Sequence, residues 1–329
     1  VTSAVTSAVT SAVTSAVTSA VTSAVTSAVT AVVTAAVLTA GVVTGATVLA
    51  PGTANAANAA TATTATTAAT ATTAATAATA DAGPPPSSMA SLGDSITRAF
   101  DACGFFVDCP PLSFSTGTST LVNSHYRRIS AKNPAMAGHN YNDSRSGAKA
   151  GDLAGQATTA VNQGVQYLTV LVGANDACTS SESTMTPVAT FRAQIDAALD
   201  AMRTGLPEAK VLVVSIPDIH RLWQIGHLNP AALATWGVAG ICQSMLANPV
   251  SPAQADVDRR ARVRQRVVDY NTQLALACTA YGSNCAFDHN AVFTYPFTLV
   301  DVSTWDYFHP SANGQAVLAE ISYRAGFNW

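Results

Sequence analysis

Charged and aromatic side chains are absent from roughly the first quarter of this chain. From Val1 to Ala80 there is no Asp, Glu, Lys, Arg or His, and no Phe, Trp or Tyr; the first ionisable side chain is Asp81. Residues 1–28 are seven copies of Val-Thr-Ser-Ala, and residues 61–80 are almost wholly Ala and Thr. Neither tract holds long aliphatic side chains, so ordering it would cost backbone entropy with little burial to offset it. A hydrophobic core is excluded there, and both tracts read as low-complexity sequence. A long stable helix is not expected either, despite the alanines. A four-residue period drifts around a 3.6-residue helix, and Val and Thr resist helix formation.

A basic n-region is also missing. Residues 31–50 are apolar apart from scattered Thr and Gly, and Pro51-Gly52 and Ala54-Asn55-Ala56 follow. An apolar stretch ending in a small-x-small site has the form of a secretory signal peptide, although signal peptides carry basic residues first. A membrane anchor competes with that reading, but the Thr, Gly and Ala content makes a poor spanning helix. The expected organisation is a leader over residues 1–85, with the signal-like segment at 31–56 and a Thr/Ala spacer after it. One catalytic domain follows over residues 86–329, long enough to bury a sizeable core. Secretion is the expected localisation, with a surface tether as a variant of it.

Cys-x-x-Cys spacing is absent too, and no cysteine has a histidine in ligand register, which argues against a zinc site. Cys103, Cys109, Cys178, Cys242, Cys278 and Cys285 all fall within the expected domain and none in the leader. An even count in an exported chain suggests disulfides, with many connectivities open. Sequential pairing is expected: Cys103–Cys109 and Cys278–Cys285 closing short loops, and Cys178–Cys242 pinning a long one.

What the domain does contain is an alternation of strand-like and helix-like segments. Met89 to Leu92, Tyr167 to Val172 and Val211 to Ile216 are short apolar runs without polar alternation. Such runs suggest strands buried on both faces, as in a parallel sheet. Thr186-Pro187 predicts a helix start running to Arg203, with Val188, Phe191, Ile195, Leu199 and Met202 on its apolar face. Ser251-Pro252-Ala253-Gln254 predicts another, with Ser251 as N-cap, running to about Ala280. It carries Arg259, Arg260, Arg262, Arg264 and Arg266, which read as a solvated face, with contact to anionic lipid as the sharper alternative. A last helix is expected from near Ser311 to Gly326. Together these predict a three-layer α/β/α sandwich with right-handed crossovers, in which ligands bind at the carboxyl ends of the strands.

Four short blocks fall at that edge. Gly93-Asp94-Ser95-Ile96 follows the first strand, with a helix expected after the serine. Ser146-Gly147 lies in a polar loop, Gly173-Ala174-Asn175-Asp176 ends the second apolar run, and Asp306-Tyr307-Phe308-His309-Pro310 lies near the C-terminus. A serine at a turn and a histidine with an aspartate three residues before it are the parts of a nucleophilic hydrolase. Backbone N–H groups and an asparagine amide supply donors for a developing oxyanion. Gly-Asp-Ser alone is a common turn tripeptide, and Asp-x-x-His alone could be a surface pair or half a metal site. Their joint occurrence in order is what points to catalysis.

In all four blocks and their order, the chain resembles the GDSL, or SGNH, hydrolase family over Ala90 to Ala325, most closely its exported actinobacterial and phospholipase B-like members. The first block ends in Ile96 where the family has Leu. The resemblance implies a flavodoxin-like sheet and a serine esterase that needs no metal or organic cofactor. It implies Ser95 as nucleophile, His309 as general base and Asp306 as its orienting partner. It also implies an oxyanion hole from the Ser95 and Gly147 N–H groups and the Asn175 amide. The expected partner is a small-molecule or lipid ester, with lipid and phospholipid acyl esters ahead of acetylated sugars. Transient contact with a lipid surface fits that substrate; a monomer and no nucleic acid partner are expected. The competing class is a cell-surface binding protein, silent as an enzyme, on the same fold.

Two further expectations concern residues outside the blocks. Asp94 and Asp176 are expected to shape their loops through local hydrogen bonds. The stretch from Asp218 to Val250 breaks the βα rhythm and reads as a long loop, serving either as an apolar substrate-facing flap or as a satellite core.

Overall fold

Continuous apolar runs become the centre of a sheet. The computed structural model describes residues 83–329; the signal-like segment at 31–56 and both low-complexity tracts lie outside the described residues. Five strands, β1 (Met89–Gly93), β2 (Asn140–Asn142), β3 (Tyr167–Leu171), β4 (Lys210–Val213) and β5 (Cys285–Phe287), form one sheet in the order β2-β1-β3-β4-β5. Every pairing is parallel. All five residues of β1 and of β3 are buried, which is why their sequences are apolar without alternation. Each edge strand has three residues and is only half-buried, so neither produces such a run.

The helices are α1 (His125–Ser130), α2 (Leu153–Gln163), the single turn α3 (Ala174–Ala177), α4 (Val188–Gly205), α5 (Ile219–Gly226), α6 (Pro230–Ala239), α7 (Gln243–Leu246), α8 (Gln254–Tyr281), α9 (Ala291–Thr294) and α10 (Ala312–Ala325). On one face of the sheet α2 packs on α4 and α4 on α8. On the other, α1 and α10 meet through a buried histidine. His125 Nδ1 bonds the Tyr167 hydroxyl of β3 at 2.9 Å, and Nε2 bonds Ser322 Oγ of α10 at 2.8 Å. The result is a three-layer α/β/α sandwich with a flavodoxin-type strand order. None of the described helices is long and apolar enough to cross a membrane.

Several local expectations need correction. α4 buries Phe191, Ile195, Leu199 and Met202, but it begins at Val188 and has no side-chain cap. The Thr186 carbonyl instead accepts from the Tyr270 hydroxyl and from Arg266 Nη1, the latter at 3.0 Å. α8 begins at Gln254, three residues after the expected cap, because Ser251 is held in a preceding turn. Its N–H donates to Asn248 O, and its carbonyl accepts from Arg260 Nη2 at 3.0 Å.

The arginines of α8 divide: Arg262 and Arg264 stay exposed, as expected of a solvated face, whereas Arg259 and Arg260 are drawn into the protein. Arg259 donates to the carbonyls of Ser244 and Ala247, closing the end of α7. Arg260 is buried with its guanidinium 4.4 Å from the Trp223 ring. Arg262 pairs with Glu182 and Arg264 with Asp218. The 218–250 stretch is not an irregular loop, since it forms α5, α6 and α7. The cysteines pair in sequence: Cys103–Cys109, Cys178–Cys242 and Cys278–Cys285.

Candidate active site

Ser95 is placed by what precedes it. Gly93 closes β1 with φ of +150°, and a Cβ there would lie 2.1 Å from the Leu171 carbonyl oxygen, so only glycine fits. The Gln156 side chain from α2 grips both its backbone groups: Gly93 N–H donates to Oε1 at 2.7 Å, and Nε2 donates to Gly93 O at 2.9 Å. Asp94 Oδ1 then accepts from the Ile96 N–H at 2.9 Å, an Asx-type turn that carries the chain around Ser95.

The helix expected after Ser95 is absent. Residues 94–101 form successive turns, with Ala99 at φ +51° and Asp101 at φ +58°. Left-handed residues cannot extend a right-handed helix, so no macrodipole faces Ser95. Among the described residues the Ser95 N–H has no hydrogen-bond acceptor.

The histidine and aspartate come from the loop before α10. His309 Nε2 lies 2.7 Å from Ser95 Oγ, and His309 Nδ1 lies 2.5 Å from Asp306 Oδ2. Asp306 Oδ1 accepts from the N–H groups of Phe308 (2.9 Å) and His309 (3.0 Å), so its carboxylate is fixed at both oxygens. Burial pushes this carboxyl up, but the hydrogen bond and charge of His309 and the two N–H donors more than reverse it, leaving Asp306 below the usual range.

Tyr307, between them, has φ of +54°, and the buried Trp236 of α6 donates Nε1–H to its carbonyl at 2.9 Å. The helical insertion therefore braces the Asp306–His309 turn. Ser303 ties the same turn to the serine loop: its N–H donates to His309 O at 2.8 Å and its hydroxyl to Asp101 O at 2.7 Å.

Gly147 and Asn175 belong to two loops joined beside Ser95. Arg145 N–H donates to Gly93 O, and Ala148 N–H closes a turn on Arg145 O, with Gly147 at φ +83° as its third residue. A Cβ at Gly147 would meet no protein atom within 4 Å, so the requirement for glycine lies in the backbone angle. Asn175 Nδ2 donates to Ala148 O at 3.0 Å, which leaves one amide hydrogen uncommitted. Ala150 N–H donates to Asp176 Oδ2 at 2.9 Å. The N–H of Gly147, like that of Ser95, has no acceptor among the described residues.

Two carboxylates lie nearby, Asp94 of the first block and Asp101, which belongs to none of the four. Asp94 is fully buried with Oδ2 unpartnered, and burial pushes its carboxyl up to about 7 against the opposing hydrogen bond from Ile96. Asp101 is buried beside the histidine and is raised by burial and by the charge of Asp306. Its Oδ1 accepts from the Phe106 and Val107 N–H groups, while Oδ2 is unpartnered. Asp101, Asp306 and His309 each bring a ligand-type atom within 4.8 Å of the others, the one such cluster among the described residues. Both imidazole nitrogens already hold hydrogen bonds, to Asp306 Oδ2 and to Ser95 Oγ, so an ion held by all three would have to displace one of them.

Two cavities meet at His309. A narrow one of about 70 Å³ is lined by Ile96, Ala174, Leu222, Phe297 and Phe308. A wider one of about 550 Å³ is lined by Asn175, Asp306, Phe100 and Ile241. The Phe100 ring lies 5.0 Å from the imidazole and shields it from one side.

Comparison with known proteins adds the family. Among solved structures, similar ones include an extracellular lipase from Streptomyces rimosus, at 20% identity and TM-score 0.45, covering 72% of this chain and 99% of that one. A phospholipase A1 from Streptomyces albidoflavus has 16% identity and TM-score 0.45, covering 73% and 99%. An acetylxylan esterase from Geobacillus stearothermophilus has 15% identity and TM-score 0.46, covering 74% and 95%. No curated protein sequence matches the chain. The family model for GDSL-like lipase/acylhydrolase matches residues 89–321, from the first residue of β1 into α10. With that match spanning the whole sheet and all four sequence blocks, the chain belongs to the GDSL-like lipase/acylhydrolase family and is a carboxylic-ester hydrolase.

Proposed function

We propose that this protein is a secreted serine esterase in which Ser95, His309 and Asp306 act as a catalytic triad on lipid acyl esters. The observation that carries this reading is the unbroken hydrogen-bonded relay from Ser95 Oγ through both imidazole nitrogens to Asp306. Ser95 Oγ attacks the ester carbonyl as His309 Nε2 takes its proton, and Asp306 holds the imidazole in orientation and stabilises its cationic form. Negative charge gathers on the former carbonyl oxygen, where the Ser95 and Gly147 N–H groups and the spare Asn175 amide hydrogen receive it. Collapse of the intermediate breaks the bond to the alcohol, which leaves with the proton from His309. Water, deprotonated by the same nitrogen, then attacks the acyl-Ser95 ester, and Ser95 regains its proton as the acid departs.

The apolar lining of the wider cavity supports a lipid acyl substrate over an acetylated sugar, which would call for polar partners along the wall. The three disulfides, with no free cysteine among the described residues, support export to an oxidising compartment. An active-site serine phosphonate tests the core of the reading. Labelling of the native protein that vanishes in Ser95→Ala is the expected result. Absence of labelling would leave a silent binding protein on the same fold.

A further inference from the structure

Apolar side chains exposed to water are scattered over most of this surface, but at the mouth of the wider cavity they are grouped. Phe105 (61% exposed), Phe106 (70%) and Trp305 (51%) all stand there, as does Val238 (92%). Phe105 lies 5.2 Å from Phe106 and 6.1 Å from Trp305 between ring centroids, so the three rings form one contiguous patch. Across the opening stands α6. Its sequence, Pro-Ala-Ala-Leu-Ala-Thr-Trp-Gly-Val-Ala, has no charged side chain on any face. A helix apolar all round normally lies buried, yet most of its residues apart from Ala232 and Trp236 are open to solvent to some degree.

The patch is also held rigid. Cys103–Cys109 closes the loop that bears both phenylalanines, and Asp101 Oδ1 binds two of its N–H groups from beneath. Its sequence is built to hold aromatic rings in water, where burial would otherwise favour folding them inward.

We propose that this rim docks on a neutral, zwitterionic lipid surface and so sets the cavity mouth against the aggregate that holds its ester substrate. Two features select that occupant. The rim surrounds the opening to His309, so a partner that seated there as a folded protein would seal the cavity, whereas a lipid layer supplies acyl chains into it. The charge pattern excludes an anionic surface as the target. Residues 102–107, 228–242 and 302–308 contain a single charged side chain, Asp306, which is buried in the site, and there is no Lys or Arg to meet phosphate. Phenylalanine and tryptophan side chains are suited to a membrane interface.

The inference rests on the lipid-ester reading above, and the test separates the two. Full-length Ser95→Ala protein, which leaves lipid intact, is mixed with phosphatidylcholine vesicles while tryptophan emission is followed. Trp305 is the exposed tryptophan of the four, and the leader has none, so the signal reports this rim and not the apolar segment at 31–50. A blue shift on adding vesicles is expected, unaffected by salt and by substituting phosphatidylglycerol for part of the lipid, and abolished by Trp305→Phe. Phe105→Ser with Val238→Ser should weaken partition at least about tenfold, since each removes side-chain area from the lipid contact. The same two changes in the active protein should leave turnover of a soluble acetyl ester within about twofold, which also shows that it folds.

No shift with vesicles, a shift that persists in Trp305→Phe, or binding that requires anionic lipid would overturn the docking proposal. Capture of a folded protein by the rim in place of vesicles would do the same. Loss of soluble-ester turnover in the native protein would instead strike the proposed function and leave the vesicle measurement standing on its own.

Discussion

One residue before Ser95, Asp94 holds a carboxyl that burial has pushed up to about 7. In the unfolded chain it would titrate near its ordinary value of about 4. Between those limits the native state binds the extra proton, so this residue makes stability fall as pH rises from about 4 to about 7, with no further change above. Asp94→Asn keeps an oxygen for the Ile96 N–H and has no charge to desolvate. Its melting temperature should exceed that of the native protein at pH 8 and match it at pH 4; equal values at both would mean the carboxyl titrates normally. Asn175 is tested by rate. Its amide pins Ala148 and offers its second hydrogen to the cavity, so Asn175→Ala should lower kcat about a hundredfold while KM for a short ester changes little. A change confined to KM would assign it to substrate binding. Gly147 is limited by its backbone angle alone, so Gly147→Ala should strain the 145–148 turn and lower the melting temperature as well as the rate.

Elements differ in how plainly the sequence announces them. β1 and β3 are legible because burial on both faces leaves an unbroken apolar run, and α4 because Phe191, Ile195, Leu199 and Met202 keep a helical spacing. β2 and β5 are not, since three half-buried residues produce no pattern. The four sequence blocks are legible because each combines a glycine or turn residue with a polar side chain in a loop. Asp101 and Trp236 are not, because each reaches the site only through tertiary contact, one from a loop with positive φ and one from the inserted α6. The turn of Ser95 also differs from its expected helix, for the left-handed angles of Ala99 and Asp101 are not visible in alanine and aspartate themselves. The disulfides give this scale its prediction. Cys178–Cys242 spans 64 residues and ties α3 to α7, whereas the other two span 6 and 7. Loop-closure entropy then assigns the long bridge about 4 kcal/mol and each short one about 2 kcal/mol. Denaturant titration of the paired Cys→Ser variants should show the larger loss for Cys178/Cys242, and equal losses would mean the folded-state contacts, not chain entropy, set the effect.

Across the whole molecule the buried titratable groups pull in two directions. Asp101, Asp143, Asp176 and Asp288 are all raised by burial, as Asp94 is. Each holds its proton longer in the native state than in the unfolded chain, so each costs stability as pH rises from the usual carboxylate range towards neutrality. His125 acts oppositely. Burial first, and then the nearby Arg128, push it down to about 3, so it stays neutral between Tyr167 and Ser322 while the unfolded chain takes up a proton below about 6.5. Its contribution is therefore lost as pH falls from about 6.5 to about 3. Asp306, lowered by its partners, adds a further loss at the acid end as it is protonated. Between about pH 4 and 6.5 the two effects overlap: the gain from His125 as pH rises roughly offsets the loss from Asp94, and the other four raised carboxylates tip the balance towards loss. Maximum stability should consequently lie in acid, near pH 4, where the carboxyls of the unfolded chain begin to ionise. Calorimetric scans across pH 3 to 9 should show the melting temperature peaking there and falling towards pH 8. A melting temperature that climbs steadily to pH 8 would mean that the buried aspartates are ionised in the native state, and that the unpartnered oxygens of Asp94 and Asp101 meet water or a cation.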